Sequence, residues 1–462
     1  MKKLLFLPIL CAFLSVFAQN YNSNNVKLLG TWDSMTEVPA TNSGIGNRYA
    51  SCWGYAQKGR EYAIVGAHNG TFIFDVTNPE SPVKKAFVKG RRSNCVWREY
   101  KTYQNYLYCI SDDGSPNSFQ IVDLSYLPDS VKVVHDDEII FRQGHTIWVD
   151  KNKMYIASTK FQTSFSPMSV FDLTNPVKPT LIRNLSDDIP NAPTAHDMFV
   201  RNDTCYMSGG NSGLKIYKLG ADKKFTELGS LTQYPGSGYN HTSMLLPDSK
   251  HMVMLDEVPN SLPVKVINVK DLSDIKTVHT FTGGSKATPH NPFPAPNNRV
   301  VISYYEDGVQ IFNMTNPLKP VKTGFFDTHY QTDSTATTGG YKGAWSAYTE
   351  LPSKNMIVVD MQNGLFVLDP KKAYGITTSS QDVVNQSIGT IYPNPFTDEI
   401  KINSAENGLF DVTIFDMTGK KIFFEKNANI AQKSISTTTF PKGVYVVLIA
   451  NDKKMFSQKM VK

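Results

Sequence analysis

The chain has 462 residues, enough for two or three domains. Only 19% of them are Asp, Glu, Lys or Arg, 11% are aromatic, and the net charge of +6 comes from scattered lysines. That balance suits an extracellular, β-rich protein, and no basic run argues for nucleic acid.

In chain order, Met1-Lys2-Lys3 is a positive start, and Leu4 to Phe17 is an apolar run too short to span a bilayer comfortably. Val16-Phe17-Ala18 supplies the small residues that signal peptidase reads, so residues 1–18 are expected to be a secretory signal cut before Gln19. Cys11 lies inside the apolar run after Pro-Ile-Leu, which argues against a lipoprotein signal. No later stretch approaches transmembrane length.

The body is built on a repeated phrase. Gly70-Thr-Phe-Ile-Phe-Asp75-Val-Thr-Asn-Pro79 returns as Met168-Ser-Val-Phe-Asp172-Leu-Thr-Asn-Pro176 and as Gly308-Val-Gln-Ile-Phe-Asn313-Met-Thr-Asn-Pro317. Weaker copies end at Asp123, Lys218, Asn268 and Asp369, giving seven units spaced by roughly 45 to 55 residues, a period that signals a propeller or solenoid. Each unit reads as four antiparallel strands, A to D, with the Asp/Asn-x-Thr-Asn-Pro phrase as a tight turn between C and D. These Asp residues are read as turn-formers rather than as a calcium loop. Val26 to Trp32 matches the D strands but has no A, B or C before it, whereas the seventh unit, Ala344 to Asp369, lacks a D strand. The expected fold is therefore all-β: a seven-bladed β-propeller over 19–370, closed by its N-terminal strand so that no edge is free.

Strand A is innermost in a propeller, and in four consecutive units it opens on histidine: His145, His196, His241 and His290, separated by 51, 45 and 49 residues. Trp53, Trp97 and Trp345 stand near the same place in other units. The B–C turns should share that face, and they carry Asp112-Asp113, Asp256-Glu257, Glu306-Asp307 and Asp360, with His68-Asn69 in the first unit. Imidazoles with carboxylates make a ligand set for zinc, iron, manganese or copper. The metal candidates are His145, His196, His241 and His290, with Asp256 and Glu306. The alternatives are acid–base chemistry on Glu257 or Glu306, and a structural staple between blades. His68, Trp53, Trp97, Trp345, Asp113 and Asp360 are the candidate ligand-binding residues, although the tryptophans could equally pack between blades. Cys52 and Cys95 fall near the starts of neighbouring A strands and could form a disulfide, while Cys109 and Cys205 sit in apolar strands as buried thiols. No Gly-x-Ser-x-Gly elbow, phosphate loop or His-Glu-x-x-His helix is present.

The span from about Asn25 to Asp369 resembles the LVIVD-repeat, choice-of-anchor B family of exported bacterial proteins. The residues that carry this are Cys52-Trp-Gly, Arg60-Glu-Tyr-Ala-Ile-Val-Gly, the Asp-Val-Thr-Asn-Pro phrases, the four histidines, Gly343-Ala-Trp-Ser-Ala-Tyr and Asp360-Met-Gln-Asn-Gly. The resemblance implies a propeller but no established activity.

Residues 371–389 are polar and unpatterned and read as a linker. Beyond it stand Ile391-Tyr-Pro393-Asn394-Pro395-Phe396, Val412 to Asp416-Met-Thr418-Gly419, Gly443-Val-Tyr, and a closing Lys459-Met-Val-Lys462. Alternating strands broken by such turns predict a small β-sandwich over 390–462. This tail resembles the type A C-terminal sorting domain of the Bacteroidetes type IX secretion system. The resemblance implies handling by that machinery, removal of the tail, and release or attachment at the cell surface. Taken together, the sequence points to an exported propeller binding an extracellular ligand through a His- and carboxylate-rich channel face. A metal-dependent enzyme on that face is the alternative, with a divalent transition metal as cofactor, and a plain scaffold comes third.

Overall fold

The computed structural model describes residues 21–41, 44–95, 97–284, 286–329, 340–376, 389–404, 408–451 and 455–462, so the expected signal lies outside the described residues. The chain forms two compact units, 1–376 and 377–462. Its described elements are strands and one short 3-10 turn, Leu185–Asp187. No helix among the described residues is long and apolar enough to cross a membrane.

Among the described residues of the first unit, seven antiparallel sheets follow one another, six with four strands and one with five. They resemble β-propeller blades. Their first strands are Tyr49–Gln57, Arg98–Tyr103, Ile147–Asp150, Asp197–Arg201, Asn240–Leu245, Pro292–Ala295 and Ala344–Tyr348. Each of these touches the first strand of the next sheet, except that Ala344–Tyr348 is met by Arg299–Ser303, and Ala344–Tyr348 in turn touches Tyr49–Gln57. Lys27–Trp32 pairs antiparallel with Gly364–Asp369, as the outermost strand of the seventh sheet.

The burial pattern explains the strand sequences. Middle strands are covered on both faces by neighbouring sheets, so they read as continuous apolar runs: Arg60–Ala67 is buried from Glu61 onward and Gly70–Asp75 throughout. The outer strand Val83–Lys89 is largely solvated and carries lysines. The phrase that ends the third strand acts as a turn. Thr77, Thr174 and Thr315 each donate their amide to the side-chain oxygen of Asp75, Asp172 or Asn313 at 3.0, 2.6 and 3.0 Å. The side-chain oxygens are thus occupied by backbone, as a turn requires. Gly308 (φ 66°) and Gly364 (φ 81°) hold hairpin turns in the left-handed region, where a Cβ would also run into the carbonyl of Phe326 or Trp32.

Two expectations need correction. The linker does not begin at 371: Ala373 and Tyr374 are buried in the first unit's core beside Met356 and Phe366, and the Tyr374 carbonyl accepts the Asn297 side chain at 3.1 Å. Residues 377–388 lie outside the described set. Nor are Cys52 and Cys95 bridged: both are free, as are Cys109 and Cys205, and all four are buried. Cys52 Sγ points to Ser346 Oγ at 3.7 Å, whereas Cys95 Sγ turns to the Trp97 carbonyl at 3.6 Å. Burial pushes their thiols up to about 12 and 11.

The second unit has a three-stranded sheet (Thr390–Tyr392, Glu399–Asn403, Gln432–Ser436) and a four-stranded one (Leu409–Asp416, Lys421–Asn429, Val444–Ala450, Met455–Val461). Ile391, Ile400 and Ile402 from the first share one apolar cluster with Val412, Ile414, Val447 and Ile449 from the second. Asn394 ties the opening motif to the last strand, accepting from the Val461 amide at 2.9 Å and donating to the Lys459 carbonyl at 3.0 Å.

Candidate functional site

The four histidines stand side by side. Ring centroids are 4.3 Å apart for His145–His196, 4.2 Å for His196–His241 and 4.3 Å for His241–His290. The arc continues to Trp345 at 4.1 Å and on to Trp97, stacked on Trp345 at 4.6 Å. Spacing by one repeat unit thus becomes direct ring contact, because each histidine opens or precedes the first strand of its sheet.

Hydrogen bonds then split the arc in two. His196 Nδ1 is 2.9 Å from the His241 carbonyl and His290 Nδ1 is 3.0 Å from the Trp345 carbonyl. A carbonyl only accepts, so both rings carry their proton on Nδ1 and present a lone pair at Nε2. His145 Nδ1 meets Asp112 Oδ2 at 2.6 Å, and its Nε2 meets His196 Nε2 at 2.9 Å. With Nδ1 donating to Asp112, the proton between the two Nε2 atoms comes from His145, so these contacts favour the protonated form of that ring. Burial opposes that charge, but the Asp112 hydrogen bond and its negative charge outweigh burial and hold His145 above the usual imidazole range. Burial, then the charge on His145, hold His196 well below it.

The other half is neutral. Burial lowers His290 to about 3 against the pull of its Trp345 bond, and burial with its histidine neighbours lowers His241 strongly. His290 Nε2 is buried with no hydrogen-bond partner. His241 Nε2 lies 3.9 Å from Glu257 Oε2. One ligand atom each from His241, Glu257 and His290 lie within 4.8 Å of one another. Glu257 is aimed by Tyr305, whose hydroxyl donates to Oε1 at 2.5 Å and whose ring packs on His290 at 4.6 Å. Burial raises the Glu257 carboxyl, with the Tyr305 bond opposing.

The remaining predicted residues are dispersed. Asp256 is completely buried and committed to Lys265 Nζ at 2.7 Å, the Tyr234 hydroxyl at 2.8 Å and the Gly238 amide at 3.2 Å, so it holds structure and is no metal ligand here. Glu306 is buried and accepts from the Gly340 amide at 3.3 Å. Asp360 accepts from the Gln362 and Asn363 amides, both at 2.9 Å, and from the Thr328 hydroxyl, again as a turn-former. Asp113 accepts from the Trp97 amide at 2.8 Å and so seats that indole. His68 is buried, and burial lowers it against the pull of the Pro39 carbonyl.

His145, His196 and His241 of the arc line a cavity of about 530 Å³. Four of the chain's five tryptophans line it: Trp53, Trp97, Trp148 and Trp345. Glu99 and Lys101, which sequence reasoning missed, project into it from one face of Arg98–Tyr103. Lys101 Nζ sits over the Trp53 ring at 3.8 Å and near Trp148 at 5.3 Å. Burial lowers this lysine, Glu99 opposing, and lifts Glu99 to about 7, Lys101 opposing. The missed signal was two charges at i and i+2 in the first strand of a sheet, whose shared face lines the cavity.

Residues 390–462 match the family model described as secretion system C-terminal sorting domain. The chain is exported and surface-attached through the type IX secretion system. Nothing among the curated proteins matches it. Among solved structures, the WD40 β-propeller domain of Doa1 is 11% identical with a TM-score of 0.49, covering 76% of this chain and 98% of that one. The β-propeller domain of Myceliophteria thermophila Cps50 (Swd1) is 11% identical with a TM-score of 0.47, covering 72% and 98%. PorZ, an essential surface component of the type IX secretion system of Porphyromonas gingivalis, is 10% identical with a TM-score of 0.39, covering 89% and 70%.

Proposed function

We propose that the first unit is a seven-bladed propeller of the LVIVD-repeat, choice-of-anchor B type, closed by Lys27–Trp32, and that it binds a small extracellular ligand in its channel. Support for closure comes from the succession of first-strand contacts that returns from Ala344–Tyr348 to Tyr49–Gln57, and from the pairing of Lys27–Trp32 with Gly364–Asp369. The observation that carries the binding function is the cavity wall: four indoles line it, and the Lys101 ammonium faces two of them, Trp53 and Trp148, with the Glu99 carboxyl as a nearby charge. Cavities of some 300–1,000 Å³ with apolar walls and a few polar groups are the usual form of small-molecule sites. The histidine arc forms one end of this cavity through His145, His196 and His241. A metal-dependent enzyme is the second reading, favoured by the approach of Glu257 to His241 and His290.

The test is intrinsic fluorescence of the exported protein during titration with oligosaccharides, short peptides and aromatic acids. A binding compound is expected to shift the emission, and Lys101→Ala and Trp53→Ala are expected to abolish the response while the circular dichroism spectrum stays unchanged. Binding that survives both substitutions would place the ligand elsewhere.

A further inference from the structure

We propose that His241, Glu257 and His290 form a divalent-metal site that takes Zn²⁺ through two imidazole nitrogens and one carboxylate. The inference rests on the channel placement proposed above but not on the identity of the cavity's ligand.

Three observations carry it. First, His290 is 0% exposed and its Nε2 has no partner, an expensive condition for a buried polar atom. With Nδ1 held by the Trp345 carbonyl, the ring is fixed in the tautomer that offers Nε2 as a ligand. Second, His241 is 4% exposed, and its Nε2 faces the same carboxylate at 3.9 Å. Third, Glu257 is already oriented: Tyr305 holds Oε1, leaving Oε2 toward His241, and the Tyr341 hydroxyl donates to the Glu257 carbonyl at 3.3 Å. Metal-binding carboxylates are commonly held by such an outer hydrogen bond. Tyr305 itself sits at φ 45°, a region bulky residues rarely occupy, and its carbonyl accepts the Ala344 amide at 3.0 Å.

The other histidine pair is already committed, His145 Nδ1 to Asp112 Oδ2, His196 Nδ1 to the His241 carbonyl, and the two Nε2 atoms to each other. Nitrogens on a tetrahedral zinc at about 2.0 Å stand roughly 3.3 Å apart. The Nε2 atoms of His145 and His196 are 2.9 Å apart and share a proton. In the His241–Glu257–His290 set the donor atoms lie within 4.8 Å, so a movement of about 1 Å brings them to zinc-bond range. Two neutral nitrogens and one carboxylate favour zinc or a similar transition ion over calcium or magnesium, which prefer oxygen. His241 also lines the cavity, so an open coordination position on that side would face the channel.

The experiment is zinc binding to the exported protein after chelator treatment, read by plasma mass spectrometry and calorimetry, with cobalt substitution for the visible spectrum. About one zinc per chain is expected, together with the intense bands of a tetrahedral cobalt site. Glu257→Gln and His290→Gln should each weaken binding on the order of 100-fold or more, and Tyr305→Phe, which keeps every ligand, by about 10- to 100-fold. His145→Gln should leave affinity within about threefold, since that ring is outside the ligand set. Folded wild-type protein that takes up no zinc, or a His145→Gln loss as large as that of His290→Gln, would overturn the site. If Glu257→Gln does not fold, Tyr305→Phe decides between the same outcomes. Fluorescence titration of the zinc-free protein tests the cavity separately, so either reading can fail alone.

Discussion

The two halves of the histidine arc begin from the same sequence position and end in opposite states. His145 and His196 share a proton, and Asp112 stabilises the resulting charge. His241 and His290 are neutral, with Glu257 held opposite them by Tyr305. What differs is the partner supplied by the turn: Asp112 reaches Nδ1 of one ring at 2.6 Å, whereas Glu257 stands 3.9 Å from Nε2 of another. A repeated residue is therefore only a scaffold position, and the unrepeated neighbour decides its chemistry.

Substitutions on the turns separate the halves. The largest effect is expected at Asp256, which is fully buried with Lys265. Asp256→Asn strands that ammonium and should cost about 3–5 kcal/mol in denaturant unfolding, while the titration of His145 followed by nuclear magnetic resonance stays in place. A collapse of both halves together would mean they are one unit.

Asp112→Asn should act on the first half alone. The folded-state pKa of His145 lies above its ordinary 6.5, so its contribution is fully present below pH 6.5 and fades as pH rises through the folded value. The variant should therefore be destabilised by about 2 kcal/mol near pH 5.5 and progressively less in alkaline solution, with the His145 titration moved downward. An unchanged His145 titration would refute the imidazolium assignment.

The smallest effect concerns Glu99, which lines the cavity together with His145, His196 and His241. Its carboxyl is raised from 4.5 to about 7, so between those values the folded chain keeps a proton that the unfolded chain releases. Stability should fall as pH rises through that window, and Glu99→Gln should flatten the slope and gain on the order of 1 kcal/mol at pH 8. A steeper slope in the variant would show that Lys101 needs the carboxylate charge.

Much of this arrangement is legible in the chain itself. The Asp-x-Thr-Asn-Pro phrase announces its turn because the Asp75, Asp172 and Asn313 side chains meet amides only two residues away. The register of His145, His196, His241 and His290 survives as a contiguous arc for the same reason, since each is placed by its own strand. Long-range choices are not legible. Asp256 and Glu257 are adjacent in sequence, yet the pleat sends one to Lys265 and the other toward His241. Cys52 lies within Tyr49–Gln57 and Cys95 ahead of Arg98–Tyr103, and their thiols turn to different neighbours, Ser346 and Trp97. Glu99 and Lys101 read as an ordinary polar strand until the channel encloses them.

The pairing of Lys27–Trp32 with Gly364–Asp369 has a consequence for timing. Lys27–Trp32 is made early in synthesis yet finds its hydrogen-bond partner only in the last repeat, at Gly364–Asp369. Contacts so distant in sequence form late and slowly. Until then the seventh sheet lacks its outer strand, leaving Gly364–Asp369 with an unpaired edge. A chain cut short before residue 364 therefore lacks the partner that Lys27–Trp32 needs.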